Sequence, residues 1–286
     1  MADLRGYRAV ITAGGIGTRL LPFSKEIPKE MCPILVNDSN GSTQVKPIIH
    51  AVFDQLYRAG VREYFIVVGR GKRAIEEHFT PDMDFVDSLE RTGKKVNGLR
   101  DFYKMLDLSN ITFVNQPRPR GFGDAVLRVK PYLSDKFLVH AGDTLVLSKN
   151  DEHLERLKLV HTQNVSDATI LLKDMDDPRQ FGVVIGQPRA DGSVKIFRVV
   201  EKPKVPPSKT AIMPIYIFRH SIFKHLSKVK TDNKGEIQLT DAIQSLIYVG
   251  KKVVGVKMSG DDFWLDIGSP ETFLQTLKLS AEYVRK

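Results

Sequence analysis

Three glycines, two threonines and an arginine crowd into the run Thr12-Ala13-Gly14-Gly15-Ile16-Gly17-Thr18-Arg19-Leu20. Glycine lacks a Cβ, so backbone N–H groups in such a turn can approach phosphate oxygens, and arginine adds a planar fork of donors for the same anion. The run follows the apolar stretch 9–12, which reads as a strand, and parallel sheets bind ligands beyond the carboxyl ends of their strands. Two familiar phosphate-binding patterns do not fit the letters. A dinucleotide fingerprint starting at Gly15 needs glycine where Leu20 stands, and a P-loop ends in Gly-Lys-Ser/Thr, whereas Gly17 is followed by Thr18 and Arg19.

Residues 21–33 add Lys25 and Lys29 and three prolines, a composition too broken for a regular helix. Here a resemblance becomes specific. Gly-Gly-x-Gly-Thr-Arg-Leu-x-Pro followed by Pro-Lys-Glu-Met-x-Pro-Ile is similar to the signature of the sugar-nucleotide pyrophosphorylases, and most like the UTP:glucose-1-phosphate uridylyltransferases among them. Further stretches follow in family order over nearly the whole chain. They are Gln116-Pro117-Arg118-Pro119-Arg120-Gly121, Ala141-Gly142-Asp143, Phe181-Gly182-Val183-Val184, Glu201-Lys202-Pro203, the segment from Gly235 and Glu236 to Ile243, and Trp264-Leu265-Asp266-Ile267-Gly268. The chain departs from the bacterial uridylyl pattern in three places. Cys32 stands where leucine is usual, residues 37–45 read as an insertion, and Trp264-Leu265-Asp266 resembles the thymidylyl branch as much as the uridylyl one.

The resemblance implies a Rossmann-like nucleotide-diphospho-sugar transferase fold and an enzyme that makes UDP-glucose and pyrophosphate from UTP and glucose 1-phosphate. A sugar-phosphate oxygen attacks the α-phosphorus in line, so the protein's work is positioning and charge neutralisation rather than nucleophilic catalysis. By the same resemblance Arg19 holds the leaving phosphates, Lys29 neutralises the transferred α-phosphate and Lys202 grips the sugar phosphate. Ala13, Gly14, Gly15, Gln116 and Gly121 surround the base and phosphates, with Glu30 as an addition. Gly182 and Glu201 meet the hexose hydroxyls, and Glu236 is a further sugar candidate that could equally cap the helix near Leu239. Asp143 and Asp266 are the candidate ligands of Mg²⁺, a hard cation that usually takes one or two carboxylates and fills its shell with phosphate and water. Two other functions compete: a thymidylyltransferase using dTTP, and a non-catalytic nucleotide-sugar-binding regulator. The regulator is expected to lose Arg19, Lys29 or Asp143, and all are present. The family commonly assembles as homodimers or homotetramers.

Composition agrees with a phosphate-binding enzyme without demanding one. Forty-three Lys plus Arg against thirty-four Asp plus Glu give a net charge of +9, which favours anionic partners. The basic residues are dispersed and no nucleic-acid-binding module is recognisable, so polyphosphates explain the excess and a nucleic-acid partner is not expected. No run approaches the roughly 20 apolar residues of a membrane span, and the first residues hold no signal-like stretch, so a cytoplasmic location is expected. The one cysteine, Cys32, can form no internal disulfide and reads as a buried neutral side chain. His50, His78, His140 and His161 read as structural or surface residues.

These groups need a scaffold, and the pattern supplies an α/β one. With 286 residues the chain suits a single large domain, with the nucleotide part over about 1–145, the sugar part over about 146–270 and a C-terminal helix over about 270–286. Strand-like runs at 9–12, 64–68, 111–114, 137–140 and 168–172 alternate with helical stretches, which predicts a mixed, mostly parallel central sheet flanked by helices. Ile48, Ile49, Val52, Phe53 and Leu56 lie at helical spacing and stop at Gly60. Strands at 182–185, 194–200 and 212–218, separated by Gly- and Pro-containing turns, predict a small antiparallel extension. Helices are expected at 221–226, 239–249 and 270–284, with a strand at 253–258. The last helix presents Phe273, Leu274, Leu277 and Val284 as a core or oligomer face. The charged region 80–107 reads as an exposed helical excursion.

Overall fold

In the computed structural model, residues 3–38 and 41–285 are described. The first apolar run is β1 (Arg8–Ala13), and the proline-broken segment after it coils into three single-turn 3-10 pieces before the hairpin β2 (Pro33–Asn37) and β3 (Thr43–Pro47). Next come α1 (Ile48–Arg58), β4 (Glu63–Gly69), α2 (Arg73–His78), α3 (Met83–Arg91), α4 (Asn97–Asp107), β5 (Asn110–Gln116) and α5 (Phe122–Arg128). β6 (Phe137–Ala141), β7 (Thr144–Leu147) and α6 (Glu152–Gln163) close the first half. The second half holds β8 (Ala168–Asp174), β9 (Gly182–Pro188), β10 (Ser193–Glu201), β11 (Thr210–Phe218), α7 (Ile222–Leu226), α8 (Leu239–Tyr248), β12 (Val253–Lys257), β13 (Phe263–Asp266) and α9 (Pro270–Tyr283).

Nine strands form the main sheet in the order β5-β4-β1-β6-β11-β8-β12-β10-β9. β5, β4, β1 and β6 pair in parallel, so their carboxyl ends line up along one edge. The expected antiparallel extension exists as the β9–β10 hairpin at the far edge, but β11 is inserted between β6 and β8, antiparallel to both. Its register slips between Met213 and Tyr216, across Pro214. A proline has no N–H for the ladder, so an irregularity there lets one strand serve both neighbours.

Because side chains alternate along a strand, the sheet buries one core on each face. Ala9, Ile11 and Ala13 of β1 join the core under α1 and α6, while Val10 joins the core under α5, α7 and α8. α1 forms where its apolar spacing predicts, and Gly60, at φ 94°, takes the left-handed turn that ends it. The region 80–107 is helical as expected, but it is not wholly exposed. Phe102 is fully buried and stacks on His50, with ring centroids 3.9 Å apart, in a cluster that includes Phe53 and Phe79.

Two pairings were not anticipated. The stretch read as an insertion over 37–45 is the turn and second arm of the β2–β3 hairpin, with residues 39 and 40 outside the described set. β7 and β13 form a separate antiparallel ribbon that sets Asp266 opposite Thr144. α9 begins at a capping box in which the Ser269 side chain and the Thr272 side chain each accept from the other's backbone N–H. Its inward face differs from the expected one: Thr276 and Ser280 are buried and Phe273, Leu279 and Tyr283 pack on the core, whereas Leu274 is exposed. The helix lies on β2, where the Leu35 N–H donates to Ser280 Oγ at 3.4 Å; small hydroxyl side chains permit that close approach.

Candidate active site

The aligned carboxyl ends of the parallel strands open into a cleft of about 330 Å³. Gly14, Arg19, Lys29, Gln116, Gly121 and Asp143 all line it, although they are scattered over more than a hundred positions of sequence. Sheet adjacency brings them together. β6 lies beside β1, so the segment leaving β6 runs against the glycine turn and the Gly142 N–H donates to Thr12 O at 2.9 Å. Gln116 ends β5 opposite Gly69 of β4, and Gly69 itself abuts the Gly14 carbonyl.

At one end of the cleft sits a charge cluster. Lys29 makes an ion pair with Asp143, and both side chains keep less than a fifth of their surface exposed, 16% and 17%. Burial alone would lower the lysine's pKa, but the carboxylates of Asp143, Glu30 and Asp266 outweigh it and hold the ammonium charged well above its usual range. The β7–β13 ribbon carries Asp266 into the same group, and the Ile267 N–H donates to the Asp143 carbonyl at 3.0 Å. Burial, and after it the negative charge of Asp143, pushes the Asp266 carboxyl up to about 6. Arg19 reaches the same place: a Cβ on Gly268 would lie 3.0 Å from its Nη2 and 2.8 Å from Asp266 Oδ2. Two carboxylates beside an arginine and a lysine make a site with both hard oxygen donors for a cation and cationic donors for phosphates. Among the described residues no group of three or more His, Cys, Asp or Glu forms a protein-only metal cage.

The other end is built from close-packed glycines and Gln116. A Cβ on Gly14 would stand 2.0 Å from Gln116 Oε1, so only glycine lets this amide lie across the turn. Gly121, at φ 90°, is close-packed in the same way, its Cβ position 2.9 Å from Glu236 Cβ. A Cβ on Gly15 would stand 3.6 Å from Lys29 Cε. Glu30 lines the cleft but is 1% exposed and committed to a buried ion pair, accepting from Lys72 Nζ at 2.7 Å. Burial pushes its carboxyl pKa up against the pull of Lys72 and Lys29. Glu236 also borders the cleft, whereas Ala13 is a core residue whose side chain does not reach it.

Gly182, Glu201 and Lys202, expected at the sugar together with Glu236, form a second cluster that does not line this cleft. Thr240 Oγ1 donates to Glu201 Oε2 at 2.6 Å, and a Cβ on Gly182 would meet both. Lys202, in a left-handed conformation at φ 39°, is half-exposed with Nζ 3.2 Å from Glu201 Oε1. Sequence reading passed over Lys72, Thr240, Asp124 and Arg128. Lys72 had a signal, since Gly69-Arg70-Gly71-Lys72 follows a strand in a parallel sheet, while the others reveal themselves only through their partners. Cys32 is 1% exposed and its thiol is pushed up to about 11 by burial, so it stays an unreactive neutral group at neutral pH.

The nucleotidyl transferase family model matches residues 8–282. The chain is 31% identical over 281 residues to UTP–glucose-1-phosphate uridylyltransferase of Pseudomonas aeruginosa, covering 96% of this chain and 95% of that protein. It is 32% identical to UTP–glucose-1-phosphate uridylyltransferase 2 of Staphylococcus saprophyticus over 98% of this chain and 92% of that one. Among solved structures, a UDP-glucose pyrophosphorylase complexed with UDP-glucose superposes over the full length of both chains with a TM-score of 0.82 and 27% identity. The UTP-bound UGPase from Acinetobacter baumannii gives 0.77 at 27% identity, over 100% of this chain and 98% of that one. With this fold, this cleft and a match over nearly its whole length, the chain belongs to the nucleotidyl transferase family.

Proposed function

We propose that this enzyme joins UTP to glucose 1-phosphate, forming UDP-glucose and releasing pyrophosphate. The observation that carries the reading is the convergence of the glycine turn, Arg19, Lys29 and Asp143 on one cleft in a chain whose relatives bear that activity in their names over the same length. A phosphate oxygen of glucose 1-phosphate attacks the α-phosphorus; the new P–O bond forms as the bond to the β-phosphate oxygen breaks, and pyrophosphate carries the electron pair away. Both reactants are multiply charged anions, so their repulsion is the main obstacle and fixed cations are the remedy.

In this reading Arg19 holds the leaving phosphates and Lys29 meets the α-phosphate. Lys29 is oriented for that task by Asp143, which keeps its ammonium charged and its long side chain fixed. Asp143 and Asp266 are the residues that would hold Mg²⁺, which when bound neutralises phosphate oxygens as a Lewis acid. Their fit rests on the chemistry of the donors: two largely buried carboxylates share one charge cluster with Lys29 and Arg19, and burial together with the charge of Asp143 raises the Asp266 carboxyl. Gln116, Gly121 and Gly14 form the base end, with Glu30 as supporting wall. Gly182, Glu201 and Lys202 form the sugar end, with Glu236, which lines the cleft, as a further sugar contact. The test is pyrophosphate release by purified protein with Mg²⁺ across a grid of nucleoside triphosphates and sugar 1-phosphates. UTP with glucose 1-phosphate is expected to give the highest kcat/KM; an equal or higher value with dTTP overturns the choice of nucleotide, and no turnover of any pair overturns the activity.

A further inference from the structure

Gln116 is not free to choose which end of its amide it presents. Its Nε2 lies 2.9 Å from Asp124 Oδ2 and 3.1 Å from the Gly121 carbonyl, and both partners can only accept. A carboxamide facing two acceptors must offer them its NH₂, which leaves the oxygen pointing the other way, over Gly14 and into the cleft. Among the described residues no donor engages that oxygen. Asp124 is held in turn: Arg128, one helical turn later on α5, donates to it through Nη2 at 2.9 Å and Nε at 3.3 Å. Gln116 and Asp124 are 3% and 2% exposed, so neither is free to re-solvate and turn over.

We infer that Asp124, braced by Arg128, is a positioning residue for base selection: it fixes the polarity of Gln116 so that the cleft accepts a base carrying a ring N–H and rejects one carrying a bare ring nitrogen there. Uracil and thymine have an N3–H to donate to the fixed oxygen. Cytosine has a lone pair at N3, which would face the lone pairs of Gln116 Oε1 with neither group able to protonate or flip at neutral pH. This rests on the nucleotide-binding reading of the cleft given above and adds the origin of its selectivity. A site built to take one hydrogen bond discriminates far more sharply than one that measures size, because the rejected base leaves a buried polar group opposed rather than merely unfilled.

The experiment compares kcat/KM for UTP and CTP, with glucose 1-phosphate, in the wild-type protein and in Asp124→Ala and Asp124→Asn. The wild type is expected to favour UTP by at least about a thousandfold. Asp124→Ala leaves the Gly121 carbonyl as the amide's one remaining acceptor, and the UTP/CTP ratio is expected to fall at least about tenfold, while Asp124→Asn, which still offers an oxygen to Gln116 Nε2, keeps the ratio within about threefold of wild type. A purely structural role for Asp124 would depress both nucleotides together and leave the ratio unmoved; that result overturns the inference, as does a wild-type protein that uses CTP as readily as UTP. Should Asp124→Ala fail to fold, the wild-type comparison of UTP with N3-methyl-UTP decides: loss of the methylated nucleotide supports the fixed acceptor and equal use refutes it. A wild-type protein inactive with every nucleotide would instead defeat the assigned activity, an outcome distinct from any of these.

Discussion

Replacing Lys72 with methionine strands a carboxylate in the interior, and the consequence can be worked out. Glu30 and Lys72 side chains are 1% and 7% exposed, with Nζ and Oε2 2.7 Å apart. Coulomb's law at an effective dielectric near 20 gives an attraction of about 6 kcal/mol at that separation, much of it offset by desolvating both ions; removing one partner typically costs about 3–5 kcal/mol. Lys72→Met is therefore expected to lower the unfolding free energy by about 3–5 kcal/mol at pH 8. The loss should shrink in acid. Burial already raises the Glu30 pKa, and without Lys72 it rises further, so the folded state takes up a proton that the unfolded chain binds only at lower pH. A raised carboxyl pKa means stability is highest below the unfolded value and falls as pH climbs through the folded one. Urea unfolding at pH 8 and pH 5 of Lys72→Met, Glu30→Gln and the double variant checks both points, the double variant recovering most of the loss because it buries no lone charge. A single variant within about 1 kcal/mol of wild type at pH 8, or a penalty that does not change with pH, would refute the buried-pair reasoning.

The remaining expectations follow from single contacts. Gly14→Ala places a methyl 2.0 Å from Gln116 Oε1, so the amide must leave its position and KM for UTP should rise by about tenfold, equivalent to ~1.4 kcal/mol; an unchanged KM would show that Gln116 does not meet the base. Asp143→Asn keeps the shape and the hydrogen bond to Lys29 but removes the charge, and kcat/KM should fall at least about a hundredfold with a near-wild-type thermal midpoint. Activity retained in that variant would remove Asp143 from the reaction. Burial pushes His140 and His78 down to about 4, so both fold as neutral rings. Their contribution is complete above the ordinary histidine value of about 6.5 and is lost as pH falls from there through 4, at about 1.4 kcal/mol per pH unit for each ring. Unfolding free energies from urea titrations between pH 7 and pH 4 should fall at least that steeply, since His153 and His161 are lowered by burial as well, and His140→Gln should flatten the fall by one ring's share.

Local chemistry made much of this protein readable in one dimension. The glycine turn, the proline-broken basic segment and the strand that leads to Asp143 are short-range features, and their residue types state what they can bind. The apolar period of α1 and the alternation of strands with helices predicted the parallel half of the sheet, because burial of one face imposes that period on the letters. Tertiary structure decided what depends on partners distant in sequence. The place of β11 between β6 and β8, the ribbon joining β7 to β13 and the docking of α9 on β2 are non-local pairings with no period of their own. The same holds at the site: Lys72 is one lysine among many until the fold buries it against Glu30, and the orientation of Gln116 is invisible until Asp124 and Gly121 stand beside it. A side chain's type is a property of its position in the chain, but its charge state, its exposure and the direction of its donors are set by neighbours that only the folded sheet brings within about 3 Å.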